Sequence, residues 1–213
     1  MRAAQLLVIA KAPVPGRVKT RLCPPCTADQ AAAVAEAALA DTLDAGRDAP
    51  VVRRTIVLSG TMATPAGWRT VRQRGAELGE RLAHAFADTA RPGMASLLIG
   101  MDTPQVNAAL LAGIVAALDH ADAVLAPAVD GGWWALALRD PGRAAVLHGV
   151  PMSRPDTGAL TAAALARAGL EVVRGPILRD VDTATDARAV ADEVPDGRFG
   201  HAVRAHVPAR VTR

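Results

Sequence analysis

Residues 5–26 read QLLVIAKAPVPGRVKTRLCPPC. The apolar run from Gln5 to Ile9 gives way at Ala10 to a loop that carries both lysines of the chain, Lys11 and Lys19. Every other basic side chain is arginine, and two of these, Arg17 and Arg21, stand in the same loop. A short apolar run closed by proline and glycine reads as a buried strand, expected over Leu6 to Ala10. The loop that follows is not a Walker A loop, because Lys19 lies three residues after Gly16 without the required Gly-Lys-Thr. It still offers a Pro15-Gly16 turn, exposed backbone N–H groups, compact ammonium charges and forked guanidinium donors. A polyphosphate needs these groups.

Outward from this loop, strands and helices alternate. Thr27 is the expected N-cap of an Ala-rich helix from Ala28 to Ala45. Thr55 to Ser59 reads as a strand and Thr70 to Gln73 as a shorter one. Glu77 to Ala90 is amphipathic, with Leu78, Leu82, Ala85 and Phe86 on one face. Ser96 to Ile99 is a strand and Gln105 to Leu118 a helix. Asp122 to Ala126 and Trp133 to Leu138 are strands about the turn Val129-Asp130-Gly131-Gly132. A helix over Thr157 to Ala168, a strand over Leu170 to Val173 and a helix over Thr185 to Val194 follow. Pro195 to Arg213 shows no clear periodicity and is expected as a C-terminal tail beyond a single domain at 1–194. The alternation predicts an α/β fold, a three-layer sandwich with a mostly parallel mixed sheet. Ligands bind such sheets at the carboxyl ends of the strands, so the loops after Ala10, Ser59, Ile99 and Val173 should share one edge.

Composition narrows the function. The chain has 213 residues, about half of them apolar, which suits one domain. There is no Tyr and only 2% aromatic residues, so the core must be Ala, Val, Leu and Ile. The net charge of +3 is spread along the chain, and stacking residues are scarce. Nucleic-acid binding is thereby disfavoured, while attraction to anionic ligands is not. No apolar segment is long enough to span a bilayer, and the N-terminal run is too short for a signal peptide, so a cytoplasmic location is expected. The two cysteines, Cys23 and Cys26, form Cys-Pro-Pro-Cys. Two thiols cannot close a zinc site alone, and the pair reads as incidental to a Pro-rich turn rather than as a redox motif.

Four further clusters carry chemistry. Gly100-Met-Asp-Thr-Pro104 follows a strand directly. Asp102 could hold Mg²⁺ against phosphates, or simply cap the next helix. Gln73-Arg-Gly-Ala-Glu-Leu-Gly-Glu-Arg81 places Gln73, Gly75 and Gly79 in a loop that could meet a base or ribose on entering a helix. Pro127-Ala-Val-Asp-Gly-Gly-Trp-Trp134 lets backbone approach a ligand at Gly131 and Gly132 and puts Asp130 near an acceptor. Trp133 and Trp134 should face opposite sides, so only one can line a pocket. Leu178-Arg-Asp-Val-Asp-Thr-Ala-Thr-Asp186 offers Asp180 and Asp182. Asp182 is expected to face the site and Asp180 elsewhere, with Thr183 or Thr185 as a cap and Asp186 supporting the helix. Near Ser153-Arg154, Asp156 reads as an N-cap. There is no nucleophile elbow, H-E-x-x-H or G-x-G-x-x-G, so hydrolase, zinc-protease and dehydrogenase chemistry is disfavoured.

Taken in order, AKAPVPGRVKTRL, QRGAELGERLAHAF, IGMDTP, PAVDGGWW and RDVDTATDA resemble the DUF2064 group of glycosyltransferase-A-like small transferases. That group is similar to 2-phospholactate guanylyltransferase and, more distantly, to molybdenum-cofactor guanylyltransferase. The resemblance runs from about Gln5 to Val190. It implies a GT-A type nucleotide-binding sandwich whose first loop wraps a nucleoside triphosphate or a nucleotide sugar. On it, Ala10, Lys11, Pro13, Gly16, Arg21, Gln73, Gly75 and Gly79 bind the nucleotide, while Lys19, Arg17 and Asp102 are catalytic. Asp130, Gly131, Gly132, Trp133 and Ser153 face the acceptor, and Asp102 and Asp182 hold Mg²⁺ (or Mn²⁺). Met101, Trp133 and Arg154 depart from the residues usual in that group. The expected reaction is nucleotidyl transfer from an NTP, with GTP favoured, to a small phosphorylated or phosphonate acceptor with release of pyrophosphate. Glycosyl transfer from a nucleotide-diphosphate sugar, with Asp130 as base, is the second reading. A non-catalytic nucleotide-binding protein is the third. The expected partners are a nucleotide and a small anionic or sugar-like substrate, with a homodimer left open and no nucleic acid or membrane.

Overall fold

A computed structural model describes residues 3–209. The strands are β1 (Ala4–Lys11), β2 (Arg53–Ser59), β3 (Arg69–Arg72), β4 (Ala95–Gly100), β5 (Ala123–Pro127), β6 (Trp133–Leu138) and β7 (Val172–Arg174). The helices are α1 (Ala28–Asp48), α2 (Leu78–Thr89), α3 (Ala108–Ala117), α4 (Thr157–Arg167), α5 (Ala184–Glu193) and α6 (Arg198–His206). One mixed sheet of seven strands runs in the order β3-β2-β1-β4-β6-β5-β7. Only β6 is antiparallel to its neighbours, β4 and β5. All the other pairs are parallel, so the carboxyl ends of β1, β2, β4, β5 and β7 share an edge.

The sequence makes β1 central because both its faces are apolar. Leu6 and Val8 join α1 and α3 through Leu39, Leu43, Leu111 and Ile114. Leu7, on the opposite face, packs with Leu82 and Phe86 of α2 and Leu165 of α4. This is the period-two alternation of a strand covered on both sides. A third apolar cluster lies outside the sheet, where Ala31, Val34 and Ala38 of α1 meet α5 and α6. α1 is thus buried on two sides, which its many alanines allow.

Thr27 caps α1 with a reciprocal box: its side chain accepts from the Gln30 N–H, and Gln30 accepts from the Thr27 N–H at 2.8 Å. The helix runs three residues beyond Ala45 because Gly46 lets it lie on β1. A Cβ there would stand 2.7 Å from Leu6. The largest departure from the sequence reading is at the C-terminus. The stretch expected as a tail contains α6, whose Phe199 and Val203 are buried against α1 and α5. A 3₁₀ segment at Pro141–Gly149, also unanticipated, packs on α2. None of the described helices is long and apolar enough to cross a membrane.

Candidate active site

The loops at the carboxyl edge of the sheet enclose a cavity of about 690 Å³. One wall is the loop after β1, which contributes Lys11, Arg17, Lys19 and Arg21. The facing wall carries carboxylates: Asp102 at the end of β4, Asp130 in the β5–β6 turn, and Asp180 and Asp182 between β7 and α5. Two stretches far apart in sequence are locked together here. The Val181 N–H donates to the Asp102 carbonyl at 2.9 Å, and the Gln105 side-chain amide donates to the Arg179 carbonyl at 2.8 Å.

Lys19 is the most constrained side chain of the cationic wall. Its backbone is left-handed (φ 49°) as it enters a 3₁₀ turn at Thr20–Leu22. Its side chain is only 6% exposed. The ammonium lies 2.5 Å from Asp102 Oδ1 and 3.9 Å from Asp182 Oδ1, and it donates to the Val181 carbonyl. A compact ammonium fits this slot between one carbonyl and two carboxylates, whereas a planar guanidinium is larger and needs a fork of acceptors. Arg21, on the solvent side, donates to Asp182 Oδ2 at 2.8 Å. Lys11 stands exposed at the cavity rim.

Asp102 caps no helix. The N-cap of α3 is Asn107, whose side chain accepts from the Leu110 N–H at 2.9 Å. For the same reason α3 begins at Ala108 rather than Gln105. Asp186 and Thr183 form the capping box of α5. Asp156, expected as the cap of α4, makes no side-chain cap bond; it pairs with Arg154 at 2.9 and 3.1 Å instead.

Asp180, expected to face elsewhere, lines the cavity together with Asp182. Residues two apart on extended chain point the same way, and the intervening Val181 is buried in the core. The Asp180 carboxyl is pushed up to about 7, first by burial and then by the charges of Asp102, Asp130 and Asp182, with Lys19 opposing. Arg154 lines the cavity beside Ser153, and Arg81, which carries no expected site role, lines it too. Arg81 donates to the Gly75 and Ala76 carbonyls at 3.0 and 2.7 Å, fixing the loop before α2. A signal for Arg81 existed in its spacing from Leu78, three residues earlier and also on the cavity wall.

Among the expected nucleotide contacts, Ala10, Lys11, Arg21 and Gln73 line the cavity, whereas Pro13, Gly16, Gly75 and Gly79 do not. Each of these glycines has another task. Gly16 (φ 74°) serves the turn closed by the Arg17 N–H on the Val14 carbonyl at 3.0 Å. Gly79 lets α2 lie against the Leu147 carbonyl, which a Cβ would approach to 2.5 Å. Gly75 (φ 118°) folds the loop back on Glu80. Gln73 also ties the sheet edge, donating to the Ala10 and Val57 carbonyls at 2.7 and 2.9 Å.

On the expected acceptor side, Asp130, Gly132, Trp133 and Ser153 line the cavity. Gly131 does not; it packs on the carbonyl of Pro155, which does line the cavity. Asp130 Oδ1 accepts from the Gly132 N–H at 2.8 Å, which shapes the turn. Both tryptophans border the cavity, contrary to the expectation of one. They do face opposite sides of the sheet, Trp134 in the core beneath α1 and Trp133 against the core beneath α2, and the cavity at the sheet edge reaches both. The strand bulges here: Ala126 pairs with Ala135 and Pro127 with Trp133, leaving Trp134 as the extra residue. Trp134 is buried and donates to the Pro176 carbonyl at 2.9 Å, while Trp133 donates to Thr161 at 3.1 Å.

The cysteines lie just beyond the cationic loop, against the cluster of α1, α5 and α6 and outside the cavity. Both are free, and burial, then the neighbouring Cys23, pushes the Cys26 thiol up. A raised thiol is the opposite of a redox-active one.

No curated protein matches the chain. Among solved structures, a candidate nucleotide-diphospho-sugar transferase from Desulfovibrio desulfuricans G20 superposes with a TM-score of 0.86 at 26% identity. The match covers 96% of this chain and 95% of that one. Rv0371c from Mycobacterium tuberculosis H37Rv matches with a TM-score of 0.55 at 22% identity, covering 89% of this chain and 98% of that one. CMP:2-keto-3-deoxy-manno-octonic acid synthetase, solved with CTP, matches with a TM-score of 0.55 at 12% identity, covering 91% of this chain and 99% of that one. The fold is therefore of the nucleotide-diphospho-sugar transferase type, as the alternation of strands and helices and the resemblance had led one to expect. Residues 27–154 match the profile of the family described as "Uncharacterized protein conserved in bacteria (DUF2064)", and the chain belongs to that family.

Proposed function

We propose that the protein is a transferase that joins the nucleotide of a nucleoside triphosphate to a small phosphorylated or phosphonate acceptor and releases pyrophosphate. The observation that carries this reading is the apposition, across one cavity, of Lys11, Arg17, Lys19 and Arg21 with Asp102, Asp180 and Asp182. Four cations on one loop exceed what a bound diphosphate sugar requires and suit a triphosphate whose β,γ-half departs. GTP is the proposed nucleotide, after the resemblance to guanylyltransferases.

In this reading an acceptor oxygen attacks the α-phosphorus, the bond from that phosphorus to the β-bridging oxygen breaks, and pyrophosphate carries the charge away. Arg17, Lys19 and Arg21 receive that charge. An acceptor that is already anionic needs no general base, so the chain's work is alignment and charge stabilisation.

Asp102 and Asp182 would hold a Mg²⁺ or Mn²⁺ ion. Their donors are all carboxylate oxygens, which suits a hard cation. Among the described residues no three His, Cys, Asp or Glu side chains could hold a metal on their own. Two carboxylates completed by phosphate and water match the way Mg²⁺ is ordinarily bound with nucleotides. Such an ion supplies positive charge against the phosphate oxygens.

The name of the D. desulfuricans relative and the exposed Asp130 at the acceptor rim favour a second reading, glycosyl transfer from a nucleotide-diphosphate sugar. The products separate the two. With Mg²⁺, mixed NTPs and phosphorylated small acids, the expected product is pyrophosphate. Free nucleoside diphosphate from a nucleotide sugar, without pyrophosphate and dependent on Asp102 and Asp130, would reverse the assignment.

A further inference from the structure

We infer that Lys19 is a built-in counter-ion that excludes the divalent metal until a phosphate group draws it away, so that metal binding is conditional on nucleotide. This rests on the reading of Asp102 and Asp182 as the metal side of a nucleotide site. The ammonium of Lys19 sits 2.5 Å from Asp102 Oδ1 and 3.9 Å from Asp182 Oδ1, between the two carboxylates that the metal would share. Arg21 covers the other oxygen of Asp182 at 2.8 Å. Lys19 and Arg21 thus already occupy both carboxylates that the metal would share. A doubly charged ion entering there would meet like charge on both sides while those two cations stay in place.

A phosphate chain changes the balance. It lies within reach of the same loop, since Lys11 and Arg17 line the same cavity, and it offers Lys19 an acceptor of higher charge than Asp102. The four-carbon stem of lysine lets the ammonium swing while its Cα stays fixed at the start of the 3₁₀ turn. Once the ammonium has moved, Asp102 and Asp182 are open to the metal. The same charge has two uses, first holding the empty site together and then stabilising the phosphates. The chain keeps lysine there because a guanidinium is bulkier and could not change places so readily.

The test uses Mn²⁺ alone, read from the electron-paramagnetic resonance of the free ion, on wild type, Lys19→Met and Lys19→Met/Asp102→Asn. Lys19→Met is expected to bind Mn²⁺ about ten-fold or more tightly than wild type, and adding Asp102→Asn should remove that gain. Equal affinity in wild type and Lys19→Met, lost in the double variant, overturns the coupling and leaves the metal site standing. A gain that persists in the double variant overturns the metal site itself, and the coupling with it. A second measurement needs no variant at the site beyond its assignment. The chain has two lysines, so a side-chain ¹⁵N-lysine spectrum holds two signals. The Lys19 signal is the one absent from Lys19→Met. It should stay in place on addition of Mg²⁺ alone and move on addition of pyrophosphate in EDTA. Movement with Mg²⁺ alone, or none with pyrophosphate, contradicts the inference.

Discussion

Asp102→Asn is expected to lower metal-dependent turnover by about 10²-fold or more, the scale seen when one charge-stabilising group is removed from a preorganised site. The fold should survive. Asn keeps the volume, Asp102 caps no helix, and its backbone carbonyl still accepts from Val181. The variant does leave Lys19 with a weaker partner. Because the Asp102 side chain is 42% exposed, that loss costs stability only about 1 kcal/mol. Steady-state kinetics beside a thermal melt separates the two effects. Near-normal turnover in a folded Asp102→Asn protein would take Asp102 out of the reaction.

The largest effect on stability is expected at Gly131→Ala. Gly131 has φ 89°, and a Cβ there would stand 1.9 Å from the Pro155 carbonyl oxygen. The carbonyl of Gly131 also accepts from the Gly158 N–H at 2.8 Å, so the turn has little room to retreat. The backbone conformation costs about 1 kcal/mol and the overpacking about 1–3 kcal/mol more. A total near 3 kcal/mol lowers the melting temperature of a chain this size by about 6–12 °C. Gly67→Ala is the control: its φ is 80°, but an added Cβ meets nothing within 4 Å. It should lose only the conformational part, about 1 kcal/mol. Equal losses at the two glycines would show that the Pro155 loop yields freely and does not brace the acceptor rim.

The sequence announces local features of this molecule and conceals paired ones. The Thr27–Gln30 box, the apolar run of β1 and the amphipathic face of α2 are short-range patterns, and each is where periodicity and capping place it. Trp133 and Trp134 face opposite sides of the sheet, as alternation has it, but only the assembled sheet edge shows that the cavity reaches both. Gly75 and Gly79 looked like ligand contacts, because a glycine that relieves packing and one that admits a nucleotide read the same in one dimension. The ammonium of Lys19 meets a carbonyl 162 residues away, and only the folded sheet brings the two together. Two omissions were legible after all. Asp180 and Asp182 share a side by the period of extended chain, and Phe199 and Val203 of α6 and Val207 just after it recur every four residues.

On the proposed function, the cavity between the cationic loop and the carboxylates takes a nucleoside triphosphate together with a divalent metal. Thermal unfolding with each of the four ribonucleoside triphosphates, in the presence and absence of Mg²⁺, tests it most directly. A ligand at a hundred times its dissociation constant stabilises the fold by about 2.7 kcal/mol, or about 5–10 °C for a chain of this length. The account predicts such a rise for GTP with Mg²⁺, diminished without the metal and in Asp102→Asn. No rise with any triphosphate in Mg²⁺, or an equal rise in wild type and Asp102→Asn, would contradict it.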